Sequence, residues 1–446
     1  MIVMNCKYFF IPRNYLHFYN HNKSLLFRKS NIHTFQYTSK PSSYLYHTQR
    51  KFPKFSSVIH ASRINFKALN SQLQVVCLFR TSAPRNIPAV VWLVLRPILK
   101  FAAVVTGRGI RKWWKNLPKD KKQYFINEIK ANRRKIGIAL SLILGLSVTY
   151  YLSHLESTPI TNRKRFMAFN PKQIEQINRF ELDMLMQNFG SKLLPHNHPT
   201  TIRVQNVVRR IIAANADIKE FEGKEFGVSV VDSSVENAFV IPLGHVFVFS
   251  GMLNLCSNDD QLGTILSHEI AHCILNHGAE NVSFAHLLDM ISIVIIAAIW
   301  AVIPIDSFSV LMHWLYQKSI KIFLELPYSR KTEMEADYVG LQLAAKSCFD
   351  VRESSAFWCK MAFLTKTFGN GPEIEFLSTH PSHEKRSESL DNIMDQAIQL
   401  RTLCGCPKLN WRDPRLHVEA VNKAIELQRR QFFEQNKKPV DVIKMR

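Results

Sequence analysis

His268-Glu269-Ile270-Ala271-His272 places two imidazoles four residues apart. On an α-helix that spacing puts both rings on one face, one turn apart, close enough to share a metal ion. A carboxylate directly after the first histidine can reach a water on that metal and act as its general base. These residue types in this order suit zinc-dependent hydrolysis of a peptide bond. Leu262, Ile265, Leu266, Ile270 and Ile274 add an apolar stripe at helical spacing. A helix over 259–276 with one buried face is therefore predicted.

Catalytic zinc needs a third protein ligand and an open fourth position. The extended pattern that continues His-x-x-Gly-x-x-His is excluded, because Leu275 and Gly278 occupy its glycine and histidine positions. His277 falls on another part of the helical wheel and reads as a partner on the helix surface. The run Arg330-Lys331-Thr332-Glu333-Met334-Glu335-Ala336-Asp337 offers a better source. Glu333 and Asp337 share a helix face. Glu333 can complete a His-His-Glu set, and Asp337 can hydrogen-bond a ligand histidine and fix its tautomer. An acidic first turn alone would look similar; the pairing with His268 and His272 favours the ligand reading. Glu335 lies off that face and reads as solvated.

The elements that must hold these groups read as a mainly helical α+β domain with a small β-sheet, over residues 165–415. Helices are predicted over 171–189 and 200–214 and a strand over 226–232. A hairpin is predicted from 238–241 and 245–249 around Pro242-Leu243-Gly244. The 245–249 strand, or its partner near Asn237 and Ala238, could offer an edge to an extended substrate. Between the two halves of the metal set, residues 290–305 are mostly apolar. As a helix they span about 24 Å, short of the roughly 30 Å hydrocarbon core. Any crossings there must be even in number, or Glu333 would lie across the membrane from His268 and His272. His313, Lys318, Lys321 and Glu325 make 308–326 a doubtful second span. The expectation is an element that dips into the bilayer or packs on it, with a buried core helix as the competing reading.

The formal charge of +23 is unevenly placed. Residues 1–119 hold 20 Lys+Arg and no Asp or Glu, which leaves 38 basic and 35 acidic residues for the remainder. An acid-free, Arg- and Ser-rich leader matches a mitochondrial presequence, taken as 1–85. A nucleic-acid-binding arm is the rival, but zinc-finger spacing and an RNP-like aromatic pattern are absent, so no nucleic-acid partner is expected. Residues 86–135 read as a basic membrane-proximal segment, including a membrane-surface helix near 88–107. Residues 136–152 carry no charge, follow Arg133-Arg134-Lys135 and end near Tyr150 and Tyr151, as a transmembrane helix does. The basic bias puts the N-terminal side in the matrix and the C-terminal domain in the intermembrane space. Residues 416–446 read as a tail. Eight cysteines form no CxxC pair; Cys404-Gly405-Cys406 is either two ordinary thiols or a redox-sensitive pair.

His-Glu-x-x-His followed by Glu-x-x-Ala-Asp resembles gluzincin endopeptidases of the HtpX and prenyl-endopeptidase type. Asn237-Ala238-Phe239 and Ser378-Thr379-His380-Pro381-Ser382-His383 also look like signatures of that family. A narrower likeness is to the mitochondrial inner-membrane members whose activity overlaps that of the m-AAA protease. Ile110-Arg111-Lys112-Trp113-Trp114, His154-Leu155-Glu156, Pro327-Tyr328-Ser329-Arg330-Lys331 and Cys404-Gly405-Cys406-Pro407 carry it, over roughly 85–415. The resemblance implies one Zn²⁺ per subunit and self-association. It also implies stress-responsive cleavage of inner-membrane protein substrates, including a dynamin-like fusion GTPase. It implies a transition-state donor role for His380, which could equally cap a Pro-led helix, and it favours a redox role for Cys404 and Cys406. Two rivals are a polytopic prenyl-protein peptidase, which one clear span argues against, and a nonenzymatic membrane-tethered zinc scaffold.

Overall fold

The computed structural model describes residues 89–368, 376, 380 and 386–435. The leader assigned to 1–85 lies outside them.

The core forms around a three-stranded sheet and the helices beneath it. Strands β3 (Val228–Val231), β4 (Ala238–Val240) and β5 (Val246–Phe249) are short and β-branched or aromatic. Their order is β3-β5-β4. β3 runs parallel to β5, with Val228 opposite Val246; β4 is antiparallel to it, with Phe239 opposite Phe247. The predicted hairpin is thus β4–β5. An earlier antiparallel pair, β1 (Leu155–Ser157) and β2 (Lys164–Phe166), forms its own small sheet. It begins ahead of the expected domain start at 165, which falls within β2.

Three helices close under the larger sheet: α5 (Pro199–Ala214), α7 (Asp259–Ile274) and α10 (Leu326–Lys346). α4 (Pro171–Phe189) starts in a capping box between Asn170 and Gln173 and covers the residues predicted for it. α7 starts where the Asn258 side chain accepts from Gln261 N–H, with Asp259 and Asp260 in the first turn. It ends earlier than predicted. Asn276 takes a left-handed conformation (φ 55°), and His277 begins a new helix, α8 (His277–Val302). α7 and α10 approach backbone to backbone at Gly340, where a Cβ would stand 2.8 Å from His268 Cα. Only glycine permits that approach.

α8 leads away from this core and α9 (Asp306–Ile320) leads back, through wide turns at Lys321–Glu325, into α10. The pairing is antiparallel. Phe284 stacks on Tyr328, Ser292 hydrogen-bonds Tyr316 and Trp300 Nε1 donates to His313. α1 (Ala89–Asn116) packs along α8, its Gly107 against Ala297 and Trp300. Arg96 and Lys100 both reach the buried Asp289, while Arg108 and Arg111 reach Asp306. α3 (Arg133–Ser153), which follows α2 (Lys119–Ala131), buries no residue. α3 and α8 are both long and apolar enough to cross a membrane by length and composition.

The chain closes with α11 (Arg352–Phe368), α12 (Arg386–Leu403) and α13 (Pro414–Gln435), after the six-residue α6 (Ser250–Leu255) has turned out of β5. Most of the segment read as a tail is therefore helical, and α13 packs on α11. A disulfide joins Cys348, just past α10, to Cys406, just past α12. Closing that 58-residue loop removes unfolded-state entropy worth about 4 kcal/mol. Cys406 therefore does not pair with Cys404, its neighbour in the expected redox pair. The spacing of Cys404 and Cys406 could not reveal a partner 58 residues away.

Candidate metal centre

Two helices and one loop bring the site together. α7 supplies His268, Glu269 and His272; α10 supplies Glu333 and Asp337. His380 is placed by backbone bonds. Phe376 N–H donates to Glu236 O, beside β4, and His380 N–H donates to Phe376 O. The Phe376 ring stacks on Trp358 and lies against the His380 ring.

The ligand-type atoms converge. His268 Nε2 and His272 Nε2 are 3.1 Å apart, and each is 3.5 Å from a Glu333 oxygen. His380 Nδ1 lies 3.0 Å from Glu333 Oε2. One donor atom from each of these four residues lies within 4.8 Å of every other. His380, expected as a substrate-facing donor, thus sits inside the same cluster. Glu269 is buried, and its Oε1 makes no hydrogen bond; His380 Nε2 is 3.3 Å away.

Asp337 lies 3.0 Å from His268 Nδ1, so His268 donates that proton and turns its Nε2 lone pair inward. Arg386, which sequence reasoning missed, grips Asp337 through Nε (2.6 Å) and a terminal nitrogen (2.7 Å) and reaches Glu333 Oε2 at 3.1 Å. Its guanidinium lies 3.7 Å above the Trp358 ring. A signal existed: three acids around two histidines need a cation, and Arg386 follows His380 by six residues.

Two expectations are corrected. Glu335 is not solvated. It is fully buried among Arg163, Thr158, Thr161 and His277. His277 is not on a surface. It is buried with Nδ1 2.9 Å from His272 Nδ1. Of the two strands considered for substrate, β5 is interior and only β4, after Asn237 and beginning at Ala238, keeps an unpaired side within its sheet.

Burial and charge set the protonation of the set. Burial lifts the Glu269 carboxyl above its ordinary value. It also works against charge on Glu333, but the surrounding imidazoles, His272 first, hold that carboxyl well below the usual range. Burial depresses His272 to about 3. For His268, burial and Arg386 push down, but the Asp337 and Glu333 carboxylates prevail and hold it up at about 9. Asp337, against its burial, is drawn down to about 2 by Arg386 and His268.

The donor set fits a divalent cation. Two imidazole nitrogens and a carboxylate face one point, the combination borderline metals such as zinc prefer. Once metal ligation displaces the extra proton that His268 holds, the charges of Glu269, Glu333, Asp337 and Arg386 sum to two negative among the described residues of a mostly buried site. A bare pair of that kind is costly, and a divalent ion neutralises it.

Residues 200–394 match peptidase family M48. Among similar proteins are the mitochondrial metalloendopeptidases OMA1 of Danio rerio, Bos taurus and Homo sapiens. The zebrafish protein is 41% identical over 81% of this chain and 76% of its own length. The chain belongs to peptidase family M48. This M48 chain is 39% identical to the bovine protein over 78% of its own length, and 40% identical to the human one over 74%. It spans 66% of the bovine relative's length and 63% of the human one's. The M48 match covers α5 through the first half of α12, so it includes every site residue from Asn237 to Arg386.

Proposed function

We propose that this M48 chain is a zinc-dependent endopeptidase of the mitochondrial inner membrane. In this reading it cleaves membrane proteins in quality control and stress response, including those that govern inner-membrane fusion, and it acts as a homo-oligomer. The catalytic domain faces the intermembrane space. The observation that carries the enzymatic part is the meeting of His268, His272 and Glu333 with a buried, weakly partnered Glu269 beside them. The acid-free leader and the mitochondrial relatives support the compartment. The long apolar helices α3 and α8 support the membrane.

His268, His272 and Glu333 would hold the zinc, which supplies a Lewis acid to the scissile carbonyl and to the water that adds to it. Glu269, its carboxyl lifted by burial, takes a proton from that water and delivers it to the leaving amine. His380, 3.3 Å from Glu269, orients it and offers an N–H to the developing oxyanion. Asp337 and Arg386 hold His268 in the tautomer that leaves Nε2 bare. An extended substrate strand pairs along β4 near Asn237 and Ala238. Such pairing reads little side-chain detail, so unfolded segments close to the membrane are favoured.

The test is Glu269→Gln in the full chain, with metal content and cleavage of a membrane substrate measured together. Zinc should stay bound while turnover falls by about 10²–10⁴-fold, the worth of a general base. Persistent cleavage removes Glu269 from the mechanism. A metal-free parent protein removes the zinc reading, and bound zinc without turnover in the parent leaves a structural site.

A further inference from the structure

A second line of hydrogen bonds reaches the metal site, and it begins in the hairpin that follows α3. His272 turns Nε2 toward His268 and Glu333, while its Nδ1 meets Nδ1 of His277 at 2.9 Å. His277 Nε2 lies 3.3 Å from Glu335 Oε2. Glu335 in turn accepts from Thr158 and Thr161 Oγ1 and from Arg163 Nε at 2.6 Å. The rest of the Arg163 guanidinium forks over Glu280 of α8, at 2.6 and 2.7 Å. All three charged groups are buried.

The turn that carries Arg163 is tightly specified. Ile160 and Asn162 both lie in the left-handed region, at φ 65° and 54°. Non-glycine residues hold that conformation only where their surroundings over-determine it. Tyr151, near the end of α3, stacks on Phe166 at the other end of the hairpin.

The far end of the line fixes every proton in it. A carboxylate only accepts, so His277 carries its proton on Nε2 and leaves Nδ1 bare. That bare nitrogen accepts, so His272 carries its proton on Nδ1 and presents the Nε2 lone pair to the metal position. We propose that Arg163, Glu335 and His277 form a positioning relay that locks His272 in its metal-binding tautomer and orientation.

The inference rests on the zinc reading above and adds a control point to it. His268 is supported directly by a carboxylate, the usual arrangement. His272 is supported at one remove, with the far anchor in the hairpin between α3 and the catalytic helices. The metal site is then complete only when that hairpin is seated between α8 and α10.

Zinc affinity of the purified full chain in detergent, measured by competition with a fluorescent chelator, is the readout. His277→Leu strands the His272 Nδ1 proton, so affinity should fall by about 10–100-fold. His277→Asn places an amide oxygen where the imidazole Nδ1 stood and should recover most of that loss. Arg163→Ala changes only the far anchor and should weaken zinc binding in the same direction, with Arg163→Lys between it and the parent. Thermal unfolding of each metal-free variant reports whether it has folded. A folded His277→Leu chain with parental zinc affinity overturns the relay. If that variant does not fold, parental affinity in Arg163→Ala overturns it instead. A parent chain that binds no zinc removes the underlying reading along with it.

Discussion

At the residue scale, the site separates acids of one chemical type by their surroundings. Glu269 and Glu333 are both buried, yet the first is lifted above its ordinary range and the second held below it. The difference is the company: imidazoles and Arg386 crowd Glu333, whereas Glu269 Oε1 makes no hydrogen bond. Among the described residues, Arg386 is the guanidinium that reaches Glu333 and Asp337, so removing it has a calculable cost. Arg386→Ala should destabilise the metal-free chain by about 3–5 kcal/mol, the usual loss when a buried charge loses its partner. Added zinc supplies positive charge at the same place, so the variant's Tm should rise with zinc more than the parent's does. Calorimetry with and without zinc checks both signs; an equal shift in the two proteins would deny Arg386 a charge-balancing role. His268 with His272, and Glu333 with Asp337, were legible because a spacing of four within each helix dictates a shared face, and Glu269 was legible from its place directly after His268. His277 and Glu335 were not. The left-handed turn at Asn276 resets the helical phase, so a wheel drawn through His272 misplaces His277. Glu335 faces away from Glu333, and nothing in its own helix reveals that a hairpin from residues 155–166 covers it.

At the scale of elements, α7 and α10 must lie close enough for their acids and imidazoles to meet, and Gly340 sets that distance. The residue stands two helical turns beyond Glu333, on the face that meets α7. A methyl group there would press on His268 Cα at 2.8 Å and on Ser267 O at 3.1 Å, both backbone atoms that cannot swing aside. Gly340→Ala should therefore cost about 1–3 kcal/mol of stability, as overpacking does. Because the displaced atom belongs to a ligand residue, zinc affinity should fall as well. Chemical denaturation and zinc titration on the same sample separate the two effects, and a stable variant with unchanged affinity would mean the helices have room to spare. The helices and the β4–β5 hairpin could be read from periodicity because each is a local pattern. The need for glycine at 340 could not, since it exists only once the partner helix is known. The same reason hid the sheet order: strand spacing predicts a hairpin, but only β3 docking beside β5 makes β5 interior.

At the scale of the molecule, the even-crossing condition has a physical solution in the α8–α9 hairpin. α8 runs 26 residues outward, about 39 Å of helix, and α9 returns toward α10, so Glu333 ends beside His268 and His272. The sequence estimate was shorter because the apolar run begins later than the helix, whose first turns instead pack into the site. The hairpin's outer faces carry Met290, Ile291, Val294, Phe308, Leu311, Trp314, Ile322 and Phe323, all exposed. Contiguous apolar surface of that extent is costly in water and favourable in hydrocarbon. Of the groups that argue against a second span, His313 accepts from Trp300 Nε1 and Lys318 lies over the Trp314 ring; two acids of the hairpin are met from α1, where Arg96 and Lys100 reach Asp289 and Arg108 and Arg111 reach Asp306. If the hairpin enters the bilayer, a polarity-sensitive fluorophore on a cysteine placed at Val294 should shift to the blue when the chain is moved into lipid vesicles. The same label at exposed Asn206, on the α5 helix of the catalytic core, should not shift. Brominated acyl chains should quench the first label and spare the second. A Val294 label that keeps its aqueous spectrum in vesicles would place the hairpin outside the membrane. Its apolar face would then need a protein to cover it.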